Sequence, residues 1–589
     1  MDIRKSIYTY RGTYMAKPLL IKNGFVIDPF NEIHGEKMDI AIKDGKIIDA
    51  SSLKGKAEVI DASGMAVMPG GVDIHSHIAG AKVNSGRMFR PEDHRKDPVK
   101  KTSITHSGAG YSVPTTFVTG YRYSQMGWTT VFEPATPPLK TRHTHEEFND
   151  MPNIDKACFP LFGNNWFVTD YVREGDIEGL AGFIAWLLRA TKGYAVKMVN
   201  PGGVENWKWG KNVENLDDTV YSFEVSPRQI ITALCRANEK LGLPHTVHVH
   251  GNNLGHPGCV STTKETFECV KGCENKRERI MHLTHLQFNA YAGTGWNNFS
   301  SGASEIADYI NSNKHITVDV GQVIYGDSTT MTGDGPWEFN LQNLGSTMPW
   351  GQKPGMKWIN GDVEAECGSG IVPYIFSPKV FVNAIQWAMG LELLLLINDP
   401  WRVFMTTDHP NGGPFFFYPR IISWLMSKEA RDKVLADSDI KATERTSLKD
   451  IERELTLEEI AIITRAGTAK SLGLIEQGKG HLGVGADADI AIYNLGLEEK
   501  DPVKIEKAFT KAAYTIKDGV IVVKNGEVVQ VVNGRTYWVD AKVSEDLEAR
   551  VKQNIEDKWY KYYSINLANY PVTEDYLKHS NPIKVNANI

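Results

Sequence analysis

The chain has 589 residues, of which 41% are hydrophobic and 23% charged, so it can form one large globular domain with a satellite domain. The formal net charge of −6 is mild, and the absence of any basic run excludes a typical nucleic-acid-binding protein. Six cysteines are too few for a disulfide framework, and the first twenty residues contain no signal-peptide core. We therefore expect a cytoplasmic protein. The most apolar run, 384–397, is too short for a membrane span and predicts a buried helix.

The first predicted elements are short β-strands in residues 18–66. Asn23-Gly24 and Asp44-Gly45 each separate two apolar runs, which is a hairpin signal. The same texture returns near the far end, with turns at Asp518-Gly519 and Asn525-Gly526. We predict that residues 1–70 and 471–540 unite in one β-sandwich domain.

Between these flanks, residues 71–470 alternate strand-like and helix-like runs, which predicts an α/β fold and a (β/α)₈ TIM barrel. Residues 81–150 are rich in Gly, Pro, Thr, Tyr and His and show little periodicity, so we interpret them as an insertion over the mouth of the barrel. Residues 541–589 begin with a charged helical run. We predict a C-terminal helical tail that contacts another subunit, with a solvated tail as the alternative.

The strongest local signal is His75 and His77 in PGGVDIHSHIAG, at the end of an apolar run. Residues i and i+2 of a strand point to the same face, so two imidazoles there can bind one metal ion. Lys197 lies in the apolar strand GYAVKMVN, where a charged amine is costly. Reaction of its neutral amine with CO₂ would give a carbamate (N6-carboxylysine) able to bridge two metals; a buried salt bridge is the alternative.

Three later strand ends supply further candidates. PHTVHVHG offers His250, with His248 one layer deeper, and RIMHLTHL offers His285 or His282. Asp408 closes RVFMTTD before a glycine-rich loop. Barrel enzymes place their catalytic groups at the C-terminal ends of several strands, and the ordered set of His-x-His, Lys, His, His and Asp predicts a metal site. Nitrogen and carboxylate ligands suit zinc, and iron, manganese or nickel also fit.

These residues resemble the amidohydrolase superfamily, whose signatures are similar to DASGMAVMPGGVDIHSH and GVGADADIAIYNL. A narrower resemblance covers nearly the whole chain: it resembles the A-component family of formylmethanofuran dehydrogenases in HVHGNNLGHPG, HLTHLQFNAY, TTDHPNGGPFFFYPR and VTEDYL. This resemblance implies interconversion of formate plus methanofuran with formylmethanofuran, the entry of C1 units into CO₂-reducing methanogenesis. It also implies partner subunits, among them a molybdenum- or tungsten-pterin subunit resembling formate dehydrogenase and iron–sulfur subunits.

By the same resemblance two Zn²⁺ ions would be held by the candidate ligands, with the choices between His248 and His250 and between His282 and His285 left open. We expect Asp408 to accept a proton from the attacking water and pass it to the departing amine. We expect the carbamate on Lys197 to offset the metal charge. Polar loop residues beside the ligands are candidates for substrate binding, with a loop-stabilising role as the alternative: Asn252, Asn253, His409 and Asn411.

Two other enzymes would use a similar ligand set. One is a cyclic-amide hydrolase similar to dihydropyrimidinase, and the other is one component of a formyltransferase/hydrolase complex. A non-enzymatic assembly protein is a third hypothesis, but proteins of that class normally lack ligands, and here every ligand position is filled.

Overall fold

The computed structural model describes residues 17–53, 55–273, 277–346 and 357–589. The predictions made for residues 1–16 lie outside this part of the chain. Eight parallel strands form the predicted barrel, each beside the strand that follows it. Single β-bridges, Leu161 to Lys197 and Ser76 to His409, join its two halves. In chain order the strands are Gly71–Asp73, Trp128–Thr136, Asp155–Pro160, Lys197–Val199, Val247–His250, Met281–Leu283, Ile316–Asp319 and Val403–Phe404.

Every residue of these eight strands is buried, because side chains fill the barrel interior and helices cover its outside. The predicted apolar helix is present as Phe381–Leu396, with all residues from 383 to 395 buried. No helix in the described part of the chain has both the length and the hydrophobicity to cross a bilayer. The helices of four or more residues up to the eighth strand are Ala81–Phe89, Asp93–Lys96, Thr116–Gln125, Thr141–Asn149, Trp166–Glu174, Ile177–Thr191, Gly203–Lys208, Pro227–Leu241, Cys259–Cys269, Leu286–Asn289, Ala303–Ser312, Gly335–Ser346 and Phe381–Leu396.

The second barrel strand, Trp128–Thr136, lies inside the segment 81–150 that we interpreted as a mouth insertion. That part of the prediction is corrected: the helix Thr141–Asn149 also follows the strand as a barrel helix would. The strand was missed because WTTVFEPAT mixes threonine, glutamate and proline with its apolar residues, yet all nine positions are buried. The predicted domain limits at 70, 470 and 540 stay predictions.

A separate insertion lies between the seventh and eighth strands and was not predicted. Its antiparallel sheet consists of Gly326–Thr332, Cys367–Phe376 and Ile359–Val363. The helix Gly335–Ser346 packs against this sheet. The insertion matters for the site because it carries Asp334 to the C-terminal end of the barrel, against His250.

The two flanks of the chain unite in one nine-stranded sheet with a hydrophobic core of its own, which is the predicted β-domain. Antiparallel pairing of Ala66–Pro69 with Ile490–Tyr493 joins the flanks. Its strands are Leu19–Asp28, Ile33–Lys43, Lys46–Ile48, Glu58–Asp61, Ala66–Pro69, Ile490–Tyr493, Tyr514–Lys517, Val520–Lys524 and Glu527–Val528.

Three of the four predicted turns in this sheet are hairpins, at residues 44–45, 518–519 and 525–526. The prediction for Asn23-Gly24 is wrong: these residues lie inside one strand, at a register shift against its neighbour. A Cβ on Gly24 would lie 2.5 Å from Val67 Cγ2, so the glycine permits a close approach of the strand Ala66–Pro69.

A buried ionic cluster joins this sheet to the barrel. Lys517 Nζ lies 3.0 Å from Asp155 at the start of the third barrel strand and 3.0 Å from Asp489 in the sheet region. Lys479 contacts Asp155 as well, and its Nζ lies 2.9 Å from Asp487 and 2.6 Å from Asp489. Both amines are buried, so paired charges, in addition to apolar packing, hold the sheet against the barrel.

The C-terminal segment packs on its own barrel. Its helix Glu545–Tyr562 buries Trp559 in the main hydrophobic core, and its last strand Ser580–Asn586 runs parallel to Thr536–Lys542. The predicted contact with another subunit stays a prediction. The remaining helices of four or more residues are Tyr418–Met426, Lys428–Ala436, Ile440–Thr443, Leu457–Ala461, Ile462–Ala466, Gly467–Leu472 and Pro502–Thr510.

Candidate metal centre

His75 and His77 follow the first barrel strand and face Asp408 from the eighth. His77 N–H donates to His409 O at 2.7 Å and Ser76 N–H to Phe132 O at 3.1 Å, so the backbone of the pair is held from both sides. His75 Nε2 lies 2.9 Å and His77 Nε2 3.3 Å from Asp408 Oδ1. The same carboxylate oxygen therefore lies against both imidazoles of the His-x-His pair.

The contact between His75 and Asp408 is short, but it does not have hydrogen-bond geometry. Among the described residues, His75 Nε2, Asp408 Oδ1 and His285 Nδ1 are buried atoms without a hydrogen-bond partner. Buried polar atoms are nearly always paired, so three orphans at one place call for an explanation. His75, His285 and Asp408 offer ligand atoms that all lie within 4.8 Å of one another. A shared divalent cation fits this donor set.

Asp408 is held in a conformation suited to a ligand. Its φ is +50°, and its Oδ2 accepts a hydrogen bond from Asn411 Nδ2 at 2.9 Å. Asn411 Oδ1 in turn accepts from Met331 N–H at 2.7 Å. Burial alone would raise the pKa of Asp408, but His75 and His285 beside it bring that pKa well below the usual value. The side chain is therefore an ionised carboxylate.

Lys197 is the first residue of the fourth strand, and its amine is buried. Its Nζ donates a weak hydrogen bond to Thr284 Oγ1 at 3.4 Å. Burial lowers the pKa of Lys197 to about 7, against the opposing effect of Asp319 and Asp408. Near neutral pH a large fraction of the amine is therefore uncharged, which is the form that reacts with CO₂.

The structure separates His250 from His248. The centroid of the His250 ring lies 4.7 Å from that of the His285 ring, with an interplanar angle of 78°. His250 Nε2 lies 2.8 Å from Asp334 Oδ2, so Nδ1 remains available to bind a metal. His248 Nε2 lies 2.9 Å from His75 Nδ1, and its Nδ1 lies 3.0 Å from His245. His75, His248 and Asp319 also form a group within 4.8 Å, but both nitrogens of His248 already have ring partners.

His285 and His282 differ in the same way. His282 Nε2 lies 3.0 Å from Asp319 Oδ2, and its Nδ1 lies 3.0 Å from Thr317 Oγ1. His285 has an unpartnered Nδ1 and a φ of +36°, and its N–H donates to Asp319 Oδ1 at 3.0 Å. The geometry favours His285 as the ligand and His282 as its buried neighbour.

Sequence reasoning missed three carboxylates that orient the histidines. Glu133 Oε1 lies 2.9 Å from His77 Nδ1, and its Oε2 accepts from Ile78 N–H at 2.7 Å. Asp319 and Asp334 play corresponding parts at His282 and His250. Asp319 is the last residue of strand seven, and that position was the available signal. Glu133 lies inside strand two, which the sequence pattern did not reveal. Such carboxylates fix the tautomer and orientation of metal-binding histidines.

The residues predicted to bind substrate lie beside the centre, but their polar groups mostly bond within the protein. Asn252 Nδ2 donates to Asn200 Oδ1 at 2.8 Å, and its Oδ1 is buried without a partner in the described ranges. His409 Nδ1 accepts from Phe415 N–H at 3.2 Å, and both polar groups of Asn411 are used at Asp408 and Met331. Their role in substrate binding stays a prediction.

Comparisons with known proteins agree with this arrangement. The amidohydrolase family model (Amidohydro_3) matches residues 58–523. The chain is 55% identical to protein FwdA of Methanocaldococcus jannaschii over 96% of this chain and 99% of that one. It is 37% identical to the A component of the formyltransferase/hydrolase complex Fhc of Methylorubrum extorquens, over 92% and 94% of the two chains.

A crystal structure of the Methylorubrum extorquens complex FhcABCD with methylofuran contains a chain that superposes on this one with a TM-score of 0.86. The two are 33% identical, with 97% of this chain and all of the other covered. D-aminoacylase, at 13% identity and a TM-score of 0.50, shares the fold. The predicted resemblance to the A component of formylmethanofuran dehydrogenase is confirmed, and the chain belongs to the amidohydrolase family.

Proposed function

We propose that this chain is a metal-dependent amidohydrolase subunit that interconverts formate plus methanofuran with formylmethanofuran. The observation that carries the proposal is the convergence of His75, His285 and Asp408, whose ligand atoms lie within 4.8 Å of one another and which each contain a buried polar atom without a hydrogen-bond partner in the described structure. The substrate class is supported by the relatives FwdA and Fhc and by the similar structure with methylofuran.

The ligand assignment divides the side chains between two divalent ions, for which we propose zinc. His75, His77 and Asp408 would hold the first ion, and His250 and His285 the second. Lys197, as N6-carboxylysine, would serve both. Its buried amine with a pKa of about 7 and its weak hydrogen bond supply the neutral nucleophile that carbamate formation needs.

When bound, two such ions polarise the formyl oxygen and bring the pKa of water toward neutrality. Asp408 would take the proton of the attacking water, while Asn411 holds its second oxygen and fixes its orientation. In hydrolysis the C–N bond breaks and Asp408 delivers the proton to the departing amine of methanofuran. In condensation the amine attacks the carbon of formic acid, Asp408 takes the amine proton and passes it to the departing hydroxyl, and the C–O bond breaks to release water. Concentrations decide the net direction.

We further propose that the chain works in the cytoplasm inside a multisubunit complex. The relative in Methylorubrum extorquens is the A component of such a complex. By the family resemblance, the other subunits would include a molybdenum- or tungsten-pterin subunit that supplies formate and iron–sulfur subunits that carry electrons. A formate source beside the site would favour condensation.

The test compares Lys197→Met with Lys156→Met in the full-length chain. Lys156 is the matched control because burial also lowers its pKa to about 7, and its Nζ bonds only backbone oxygens in the described structure. We expect about two metal ions per wild-type chain and per Lys156→Met chain by elemental mass spectrometry. Lys197→Met should lose metal and at least about 100-fold of formyl-amine hydrolysis.

A folded wild-type chain that contains no metal would contradict the proposal. So would a Lys197→Met variant that keeps both metals and full activity. Assays with formylmethanofuran and with a dihydropyrimidine then separate the proposed substrate from cyclic amides, and methylofuran tests the alternative of a formyltransferase/hydrolase complex.

A further inference from the structure

We infer that His248 and His245 are positioning residues that fix which nitrogen of His75 is offered to the metal. The three rings form a buried relay from the metal centre to the carbonyl of Ser471. The inference rests on the proposed function, because it concerns the metal site named there. It gives His248 a role different from that of a ligand.

The direction of the relay follows from its far end. Ser471 O can only accept, so His245 Nδ1, 2.7 Å away, must carry the hydrogen. A neutral His245 then has a lone pair on Nε2, and His248 Nδ1 donates to it at 3.0 Å. His248 Nε2 is left as an acceptor, and His75 Nδ1 donates to it at 2.9 Å. His75 Nε2 therefore carries no hydrogen.

The reverse direction would require a charged ring. Were His245 protonated on both nitrogens, its Nε2–H would donate to His248 and turn the relay around. All three rings are buried in the barrel interior, where a charged ring without a counterion is costly. In the described structure the hydrogen bonds of His248 go to the two neighbouring rings, and burial lowers the pKa of His245 well below the ordinary value for histidine. Each ring thus carries one hydrogen, and the Ser471 carbonyl decides where it sits.

The consequence lies at the other end of the relay. His75 Nε2 lies 2.9 Å from Asp408 Oδ1, and a hydrogen on that nitrogen would use the lone pair that a metal ion needs. With the hydrogen held on Nδ1, His75 Nε2 and Asp408 Oδ1, both without a hydrogen-bond partner, offer lone pairs to one shared ion.

The anchor of the relay is well fixed. Ser471 lies in the helix Gly467–Leu472, and the next carbonyl, Leu472 O, accepts from Tyr194 OH at 2.6 Å. His77 Nδ1 lies 2.9 Å from a carboxylate, that of Glu133, whereas His75 Nδ1 lies 2.9 Å from a ring, with the carboxylate of Asp319 farther away at 3.6 Å. The His-x-His pair therefore uses two different devices for the same purpose.

The experiment measures zinc affinity of the full-length chain, with a chromogenic chelator as competitor, for four variants. His248→Leu and His245→Leu break the relay, and His248→Gln keeps an acceptor oxygen for His75 Nδ1–H. His145→Leu is the control, since His145 is equally buried and also bonds a backbone carbonyl, Thr191 O at 2.9 Å, outside the relay. Circular dichroism verifies folding of each variant.

We expect His248→Leu and His245→Leu to bind zinc about 10- to 100-fold more weakly, as for other partners of metal-binding histidines. His248→Gln should recover most of the affinity, and His145→Leu should match wild type. Saturating zinc should restore the activity of His245→Leu, because His245 touches no reacting atom.

Suppose that the wild-type chain binds two zinc ions and that His248→Leu and His245→Leu bind zinc as tightly as wild type does. This result would overturn the relay and leave the proposed function intact. Equal loss in His145→Leu would also overturn it, because the effect would then belong to core disruption. A wild-type chain without any zinc affinity would overturn the proposed function and the relay with it.

Discussion

At the scale of single residues, the proposed function gives Asp408 two tasks, those of metal ligand and proton carrier. We expect Asp408→Asn to reduce kcat for formyl-amide hydrolysis by about 10²- to 10⁴-fold, because the amide keeps the shape but cannot accept the proton. Steady-state kinetics with a metal count on the same sample measures this. Asp399→Asn is the control, since Asp399 only caps the turn at Trp401. Undiminished kcat in Asp408→Asn would contradict the proton-carrier role.

Some residues of the candidate site could be proposed from the sequence, and others could not. His75, His77, Lys197 and Asp408 could be proposed because strand ends in a barrel converge on one face. The choice between His248 and His250 could not be made, since residues two apart share a strand face and differ only in depth. That depth is set by Asp334 and Ser471, which come from distant parts of the chain.

At the scale of elements, the loop after the seventh strand supports the ligand His285. Gly321 has a φ of +68°, and a Cβ there would lie 2.5 Å from His285 Cβ and 2.8 Å from its Cα. We expect Gly321→Ala to displace His285 and to reduce zinc affinity by at least about tenfold. Gly242→Ala is the matched control, with φ +67° and open space around the added carbon.

Gly242→Ala should lose about 1 kcal/mol of stability in urea titrations, because it places a side chain in left-handed backbone. Gly321→Ala should lose more, because its added carbon also clashes with His285. Only Gly321→Ala should lose metal in the competition assay. Equal zinc affinity in the two variants would show that the close contact at His285 has no effect on the site.

Element boundaries were predictable where the apolar pattern was clean. The strand before Asp408 and the helix Phe381–Leu396 followed directly from apolar runs. The strand Trp128–Thr136 did not, because its polar residues are buried and bonded inside the barrel, as Glu133 is to His77. Buried polar residues near the site thus interrupt the apolar run by which a barrel strand is recognised in a sequence.

At the scale of the whole molecule, the ionic cluster between barrel and sheet makes stability depend on pH. Burial alone would raise the pKa of Asp155 and of Asp487, but Lys479 and neighbouring cations bring both below the ordinary value. Their stabilisation is complete above the unfolded pKa of about 3.9 and disappears as pH falls through the lower folded values. The protein should therefore lose urea resistance below about pH 4.

The variant Lys479→Met tests this assignment. It removes one of the two buried amines of the cluster and leaves the buried carboxylates with an excess of negative charge. We therefore expect about 3–5 kcal/mol of destabilisation at pH 7 and a flatter dependence on pH between 7 and 3. Lys46→Met is the control, since Lys46 is half exposed where it contacts Asp487 at 2.6 Å and should matter by less than about 1 kcal/mol. Identical urea midpoints for Lys479→Met and wild type would contradict the account.

The overall architecture was largely predictable, because flanking β-signals and a long alternating middle leave few arrangements open. The insertion between strands seven and eight and the docking of the C-terminal helix were not. Both depend on long-range contacts, such as those of Asp334 with His250 and of Trp559 with the main core. Local sequence patterns do not predict such contacts.

The barrel has two weak seams, and both adjoin the metal centre. One is the single bridge between Ser76 and His409, with His77 N–H bonded to His409 O at 2.7 Å, and the other is the bridge between Leu161 and Lys197. The proposed ligands on opposite sides of each seam meet at the same place, so metal binding there would be thermodynamically linked to barrel closure. After removal of the metal, we expect hydrogen–deuterium exchange to become faster first at the amides of His77 and Phe162, which lie along the seams. The amides of the remaining strands should stay protected.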